Sequence, residues 1–227
     1  MSSPQTVSDP RLSGRTTAQA PAGNAVLRNT YRLLSMTLAF SAVTALGAAA
    51  LNLPHPGLLL TLAGYFGLLF LTSYTRNSAW GLVSVFALTG FMGYTLGPIL
   101  NAYLAMSGGS SIVATAMGTT AVAFLGLSAY ARTAPVGSLP KFGTFLFVGI
   151  LTAFVLGLAA VFLNMPMLSL AVSGLFVLLM SGLIVYETQN IISGGETNYI
   201  MATVTLFVAI YNLFTSLLHL IGFMSDE

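Results

Sequence analysis

The chain contains no cysteine, and only 5% of its 227 residues are charged. Without cysteine there is no disulfide framework, no thiolate nucleophile and no Cys-ligated zinc or iron–sulfur centre. A soluble domain carries charge on roughly 25% of its residues, so this scarcity excludes the water-soluble class. A net charge of +2 is too small to argue for nucleic acid. Catalytic motifs are missing as well: there is no G-x-S-x-G, no H-E-x-x-H and no Walker loop. The two histidines, His55 and His219, lie far apart in the chain and make no catalytic cluster, so the reading is not an enzyme. No lysine follows Lys141, which removes a retinal-type pigment with a Schiff base in its last helix. Nor is there an internal repeat of the transporter kind.

What is present is apolar. Hydrophobic residues make up 56% of the chain, and mean hydropathy is +0.89. Seven runs, at about 33–51, 57–75, 79–100, 111–130, 142–163, 167–186 and 200–223, approach or exceed the roughly 20 residues that a helix needs to cross the hydrocarbon core. Short breaks rich in Asn, Gly, Pro and Ser separate them, as at Asn52–Pro56 and Asn164–Pro166. The runs lack the period-two alternation of barrel strands. An all-α membrane protein, a seven-transmembrane-helix bundle, is predicted.

Residues 1–29 form a Ser, Thr, Ala, Pro and Gln-rich tail that cannot bury enough apolar surface to fold alone. It is not a signal peptide, because the run that follows it is span-length. Two domains result: a disordered cytoplasmic tail, 1–29, and a transmembrane domain, 30–227. The basic residues set the orientation. Arg11, Arg15, Arg28 and Arg32 precede the first span, Arg76 follows the second, and Arg132 and Lys141 flank the loop between the fourth and fifth. Seven spans place all of these on one side, which the positive-inside rule makes the cytoplasm, with the C-terminus in the periplasm.

The last inner loop, Val185 to Ile200, is acidic where the others are basic. Glu187 stands at the end of the sixth run with no basic residue near it in sequence. It is either an interfacial carboxylate in water or one turned into the bundle and paired. Arg76, at the same depth, is the best-placed partner. In the seventh run Thr205, Asn212, Ser216 and His219, with Ala209, fall within about 40° of one line at 100° per residue. This polar stripe faces other helices, either as interhelical hydrogen bonding or as a polar conduction path. His219 taken alone reads as an interfacial histidine. Gly93 and Gly97 match the GxxxG packing pattern, and Pro98 is expected to end or kink the third helix.

Several motifs together carry a resemblance. Tyr186-Glu187-Thr188-Gln189-Asn190-Ile191-Ile192, Gly194-Gly195-Glu196-Thr197-Asn198-Tyr199-Ile200 and Tyr211-Asn212-Leu213-Phe214 resemble the signature of the Bax inhibitor-1 family. Val26-Leu27-Arg28-Asn29-Thr30-Tyr31, Gly90-Phe91-Met92-Gly93-Tyr94 and Leu96-Gly97-Pro98-Ile99-Leu100-Asn101 are similar to its bacterial, YccA-like branch. The resemblance runs from about residue 25 to the end. It implies a bundle with the last helix central, in a Gram-negative inner membrane. It further implies binding to, and modulation of, the membrane-anchored ATP-dependent protease FtsH with its associated membrane factors.

The wider family also implies an alternative, a pH-sensitive calcium or cation leak channel gated by two acidic residues on the last two helices. The first matches Glu187, the remaining gating carboxylate; the second falls on Ala209, so the dyad is missing. Two carboxylates can share a proton and switch together; one cannot. A latch of Glu187 with Arg76 stays open, calcium is the one ion brought into view, and no cofactor is otherwise implied. If such a protease pulls on this chain, the tail with Arg11 and Arg15 is the expected handle.

Reporter fusions test the orientation. Fusions after Arg76, after Lys141 and within Ser193–Gly195 are expected to report cytoplasm, and one at Glu227 the periplasm; a cytoplasmic C-terminus would overturn the seven-span count.

Overall fold

Each apolar run becomes a helix because, away from water, only a helix bonds its own backbone within the segment. The computed structural model describes residues 19–134 and 142–225. Among the described residues there are seven helices and no strand: α1 Gln19–Ala50, α2 Leu58–Thr75, α3 Trp80–Leu104, α4 Gly109–Thr133, α5 Phe142–Phe162, α6 Pro166–Ile192 and α7 Tyr199–Ser225. All seven are long and apolar enough to cross a membrane. The protein is a seven-helix transmembrane bundle.

α7 stands at the centre. It packs against α1, α3, α4 and α6, and these four touch one another in a closed circuit: α1 with α3, α3 with α4, α4 with α6, α6 with α1. α2 lies outside, on α3, and α5 lies outside, on α6. The three apolar clusters of the core share α7 as a wall, through Phe207, Leu213 and Leu218 respectively. α2, in contrast, buries only Thr72 and turns Leu59 and Phe70 outward, toward lipid.

Small residues let the backbones approach. A Cβ added at Gly97 of α3 would lie 2.8 Å from the Ala45 carbonyl of α1, and one at Gly93 would collide with Ser41 and Thr44. The GxxxG pair is therefore a packing device between α3 and α1, the form such pairs take where lipid gives no hydrophobic force between helices. The same face of α3 holds the α1–α2 turn. The Tyr94 hydroxyl donates to the Pro54 carbonyl at 2.8 Å, and the Asn101 amide donates to the Ala49 carbonyl at 2.9 Å.

Three expectations need correction. Pro98 does not end α3, which continues to Leu104; lacking an N–H, it forgoes one helix bond, but the neighbouring helices hold the segment. α1 begins at Gln19, not beyond residue 29, so residues 19–29 belong to the helical bundle. Residues 1–18, with Arg11 and Arg15, lie outside the described residues, as does Lys141. Third, Val185–Ile192 is not a loop but the last two turns of α6, and only Ser193–Asn198 links it to α7.

The last two corrections have one cause. The early turns of α1 and the late turns of α6 pack on each other: a Cβ at Gly23 would stand 2.9 Å from the Ile192 carbonyl. Thr30, Thr188 and Ile191 are fully buried there. Each segment is helical because the other covers it, and no local pattern in either reveals that.

The glycine contacts make a paired test. Gly93→Val is expected to destabilise the detergent-solubilised protein by about 1–3 kcal/mol, the cost of overpacking. Gly47→Ala, where an added Cβ meets nothing within 4 Å, should stay within about 0.5 kcal/mol of the parent. Thermal unfolding followed by light scattering reads both.

Candidate functional site

The described basic residues gather at one end of the bundle. Arg28 and Arg32 sit in the early turns of α1, Arg76 caps α2 and Arg132 ends α4. The guanidinium of Arg132 lies 5.3 Å from the ring centroid of Tyr31, which brings α4 and α1 together there. Both described acids, Glu187 and Glu196, are at this same end, on α6 and on the turn to α7.

Glu187 is turned inward, with 5% of its surface exposed. This answers whether it faces water: it does not. Nor does it meet Arg76, which is exposed. Among the described residues no carboxylate lies within 4.0 Å of a basic group. The expected Glu187–Arg76 pair is therefore not formed. Arg76 lies in the turn after α2, where its carbonyl oxygen accepts a hydrogen bond from Asn198 at 3.0 Å. The neighbours of Glu187 are instead the Asn190 side chain, one turn on, and the Glu196 carboxylate. A carboxylate buried without a cation is costly unless it is hydrogen-bonded.

Around it the structure places a polar layer across four helices. Thr188 and Gln189 on α6, Thr30 on α1, Thr203 on α7 and Ser128 on α4 are all buried. The Thr203 hydroxyl donates to the Tyr199 carbonyl at 2.7 Å and stands 3.3 Å from that of Thr30. The hydroxyls of Tyr31 and Thr188 are 3.5 Å apart. Three atoms, Thr30 Oγ1, Ser128 Oγ and Gln189 Nε2, find no hydrogen-bond partner among the described residues. Unsatisfied buried donors and acceptors are where internal water belongs. The layer can hold water near Glu187. Among the described residues there is no group of three His, Cys, Asp or Glu that could hold a metal ion.

The turn between α6 and α7 is built to keep this layer in place. Gly194 takes φ +77° and reverses the chain, a conformation that favours glycine. Asn198 then caps α7, its side-chain oxygen accepting from Ile200 and Met201 N–H at 3.0 and 3.1 Å. Its amide also reaches Asn77 at 2.9 Å, tying the α2–α3 turn to the start of α7. The Glu196 carboxylate accepts from the Asn198 N–H at 2.6 Å. Sequence reasoning missed Asn198, though an Asn immediately before an apolar run is a readable cap signal. It missed Thr30, Ser128 and Gln189 too, and for these there was no signal, since burial comes from helices far apart in sequence.

The α7 stripe faces protein. Ser216 and Ala209 are buried, and Thr205, Asn212 and His219 are half-buried. His219 Nδ1 is 2.8 Å from the Ser173 hydroxyl of α6, so it is an interhelical hydrogen-bond partner, not a lone interfacial group. The Asn212 amide donates to its own helix, to the Val208 carbonyl at 2.8 Å. Ala209 is fully buried in an apolar cluster with Leu146, Met180 and Ile184.

A polar layer at one end of a seven-helix bundle, closed by the Tyr-Glu-Thr-Gln helix end, can be compared with known proteins. The profile described as inhibitor of apoptosis-promoting Bax1 matches residues 23–226. The chain belongs to the Bax inhibitor-1 family. It is 52% identical over 202 residues to the Escherichia coli K12 protein named modulator of FtsH protease YccA, covering 89% of this chain and 91% of that one. The same identity holds for a protein of a second E. coli strain named inner membrane protein YccA. A Vibrio cholerae relative named only as a membrane protein is 43% identical over 205 residues, 90% of this chain and 92% of its own.

The unformed ion pair sets a test. Glu187→Gln and Arg76→Gln should act independently, with the double variant's change in unfolding free energy equal to the sum within about 0.5 kcal/mol. A coupling well beyond that would place the two side chains in contact.

Proposed function

We propose that this protein resides in the bacterial inner membrane, with the N-terminus in the cytoplasm and the C-terminus in the periplasm. There it binds the membrane-anchored protease FtsH and its associated membrane factors and modulates turnover of membrane proteins. The observation that carries this reading is the 52% identity, across 89% of the chain, to a relative named as a modulator of that protease. The bundle is consistent with a binding role and not a catalytic one. Several of its polar groups join helices, as Ser173 does with His219 and Thr95 with Tyr211, while α2 and α5 pack mainly on α3 and α6 and leave long apolar faces to the bilayer. Those faces can meet the membrane helices of a partner. The clustering of the described arginines at one end supports the orientation.

The leak-channel alternative has less to support it. Ala209, at the position where a second carboxylate would complete the dyad, is sealed among apolar side chains. Glu187 is left without a titrating partner on α7.

The same reading assigns the segment before α1, with Arg11 and Arg15, as the end by which the protease takes hold. Because α1 packs from Gly23 onward, the deletion that removes the handle and spares the bundle is residues 2–18. The truncated protein is expected to live longer in cells than the full chain, in strains that contain the protease, while still co-purifying with it. Pulse-chase decay with and without the protease, beside affinity capture, measures this. Loss of co-purification of the full chain would refute the partnership itself; equal lifetimes with capture intact would refute only the handle.

A further inference from the structure

α1 and α4 both border α7 but do not pack along their lengths, and two cavities lie between them. One, of about 440 Å³, is lined by Arg28 and Arg32 of α1 and Arg132 of α4. The other, of about 480 Å³, is apolar; its floor is Phe207 and Tyr211 of α7, and its walls come from α1, α3 and α4. Tyr31 lines the first, Phe124 lines the second, and their rings are 5.9 Å apart. The cavities thus adjoin along the crevice between α1 and α4, with this ring pair between them. Its rim residues Leu46, Met117 and Leu125 are exposed, so the apolar part opens sideways into the bilayer.

We propose that this crevice is a binding site for one anionic glycerophospholipid, with its phosphate among the three arginines and its acyl chains along the apolar trough. Charge is the first argument. Three arginines line one cavity, and neither described acid lines either cavity; Arg forks match phosphate oxygens, and basic pockets between membrane helices bind anionic headgroups. Arg28 and Arg32 are one helical turn apart and point the same way. Length is the second. Leu38 to Leu46, the α1 wall of the trough, lies about 9 to 21 Å from Arg32 at 1.5 Å per residue. On α4, Phe124 to Met117 lies about 12 to 22 Å from Arg132 by the same measure. Both match a headgroup at the interface and chains reaching to about the midplane of a hydrocarbon core roughly 30 Å thick. The two helices run in opposite directions, yet each puts its arginine at the same end and its apolar wall at the same depth.

The site also accounts for Arg28 in the early part of α1, which none of the apolar core clusters includes. Arg132 lies against the Tyr31 ring, which orients the cation without using up its N–H donors.

The test uses the full-length protein, purified in detergent and stripped of lipid. It is titrated with phosphatidylglycerol and with phosphatidylcholine, and bound lipid is counted by native mass spectrometry. Phosphatidylglycerol should bind at least about tenfold tighter than phosphatidylcholine. Arg28→Gln combined with Arg132→Gln should bring the two lipids within about twofold of each other. Ala121→Phe, which fills the trough, should weaken both and leave their ratio unchanged; if it does not fold, Leu125→Trp at the exposed rim replaces it. Equal binding of the two lipids by the parent protein overturns the proposal, as does a preference that survives removal of the arginines. Displacement of the lipid by equimolar inorganic phosphate would make this a free-anion site, and displacement by an equimolar acidic peptide a protein-docking site. Either result also overturns it.

Discussion

How closely two backbones can approach decides most of this structure. Lipid offers no hydrophobic force between helices, so association rests on dispersion, which falls away within an ångström or so of contact, and on hydrogen bonds. α3 meets that demand by laying Gly93 and Gly97 on Ser41 and Ala45 of α1. With that pair fixed, the circuit of α1, α3, α4 and α6 closes around α7. The central helix can then carry threonine, asparagine, serine and histidine, because each is sheltered from lipid by a neighbour. Interhelical contacts such as Thr95 with Tyr211 at 3.2 Å and Ser173 with His219 at 2.8 Å each contribute modestly, about 0.6 kcal/mol on average. They specify which faces meet more than they add stability.

The same closure creates the polar layer at the basic end. Glu187 is carried inward because the late turns of α6 are covered by the early turns of α1, and with it come Thr188 and Gln189. Asn198 then locks the turn that follows, capping α7 and holding the α2–α3 turn. A buried carboxylate is expensive, and among the described residues no basic group lies within 4.0 Å of this one. Its tolerance here depends on polar neighbours and on the unsatisfied Thr30, Ser128 and Gln189 atoms, a setting for ordered water. Any response of the protein to its surroundings that passes through Glu187 must therefore act through this layer and not through an exposed ion pair.

Length, hydropathy and the sparse charges made the seven spans legible within a few residues at most ends, since each is a local property measured against a fixed bilayer thickness. The one-sided arginines were equally plain. The glycine pair was readable as a packing device, and the structure names its partner as α1. The α7 stripe was legible as a face, because helical periodicity is local, but not its partner for His219 on α6. The pairing of Glu187 with Arg76 was inferred from equal depth alone. Depth does not set azimuth, and the two side chains point to different places.

The sequence by itself determined that this chain lives in a membrane as seven helices, which way its charges are segregated, and which family it belongs to, because apolar length, charge and motif are carried by residues near one another. Only the tertiary structure decided that the first helix starts at Gln19, that the Tyr-Glu-Thr-Gln segment is helix, and that Glu187 is buried away from Arg76. It alone placed Arg28 and Arg32 across from Arg132 over an apolar trough. Each of these depends on packing between segments about a hundred residues or more apart, and no local pattern records which distant helix will lie alongside.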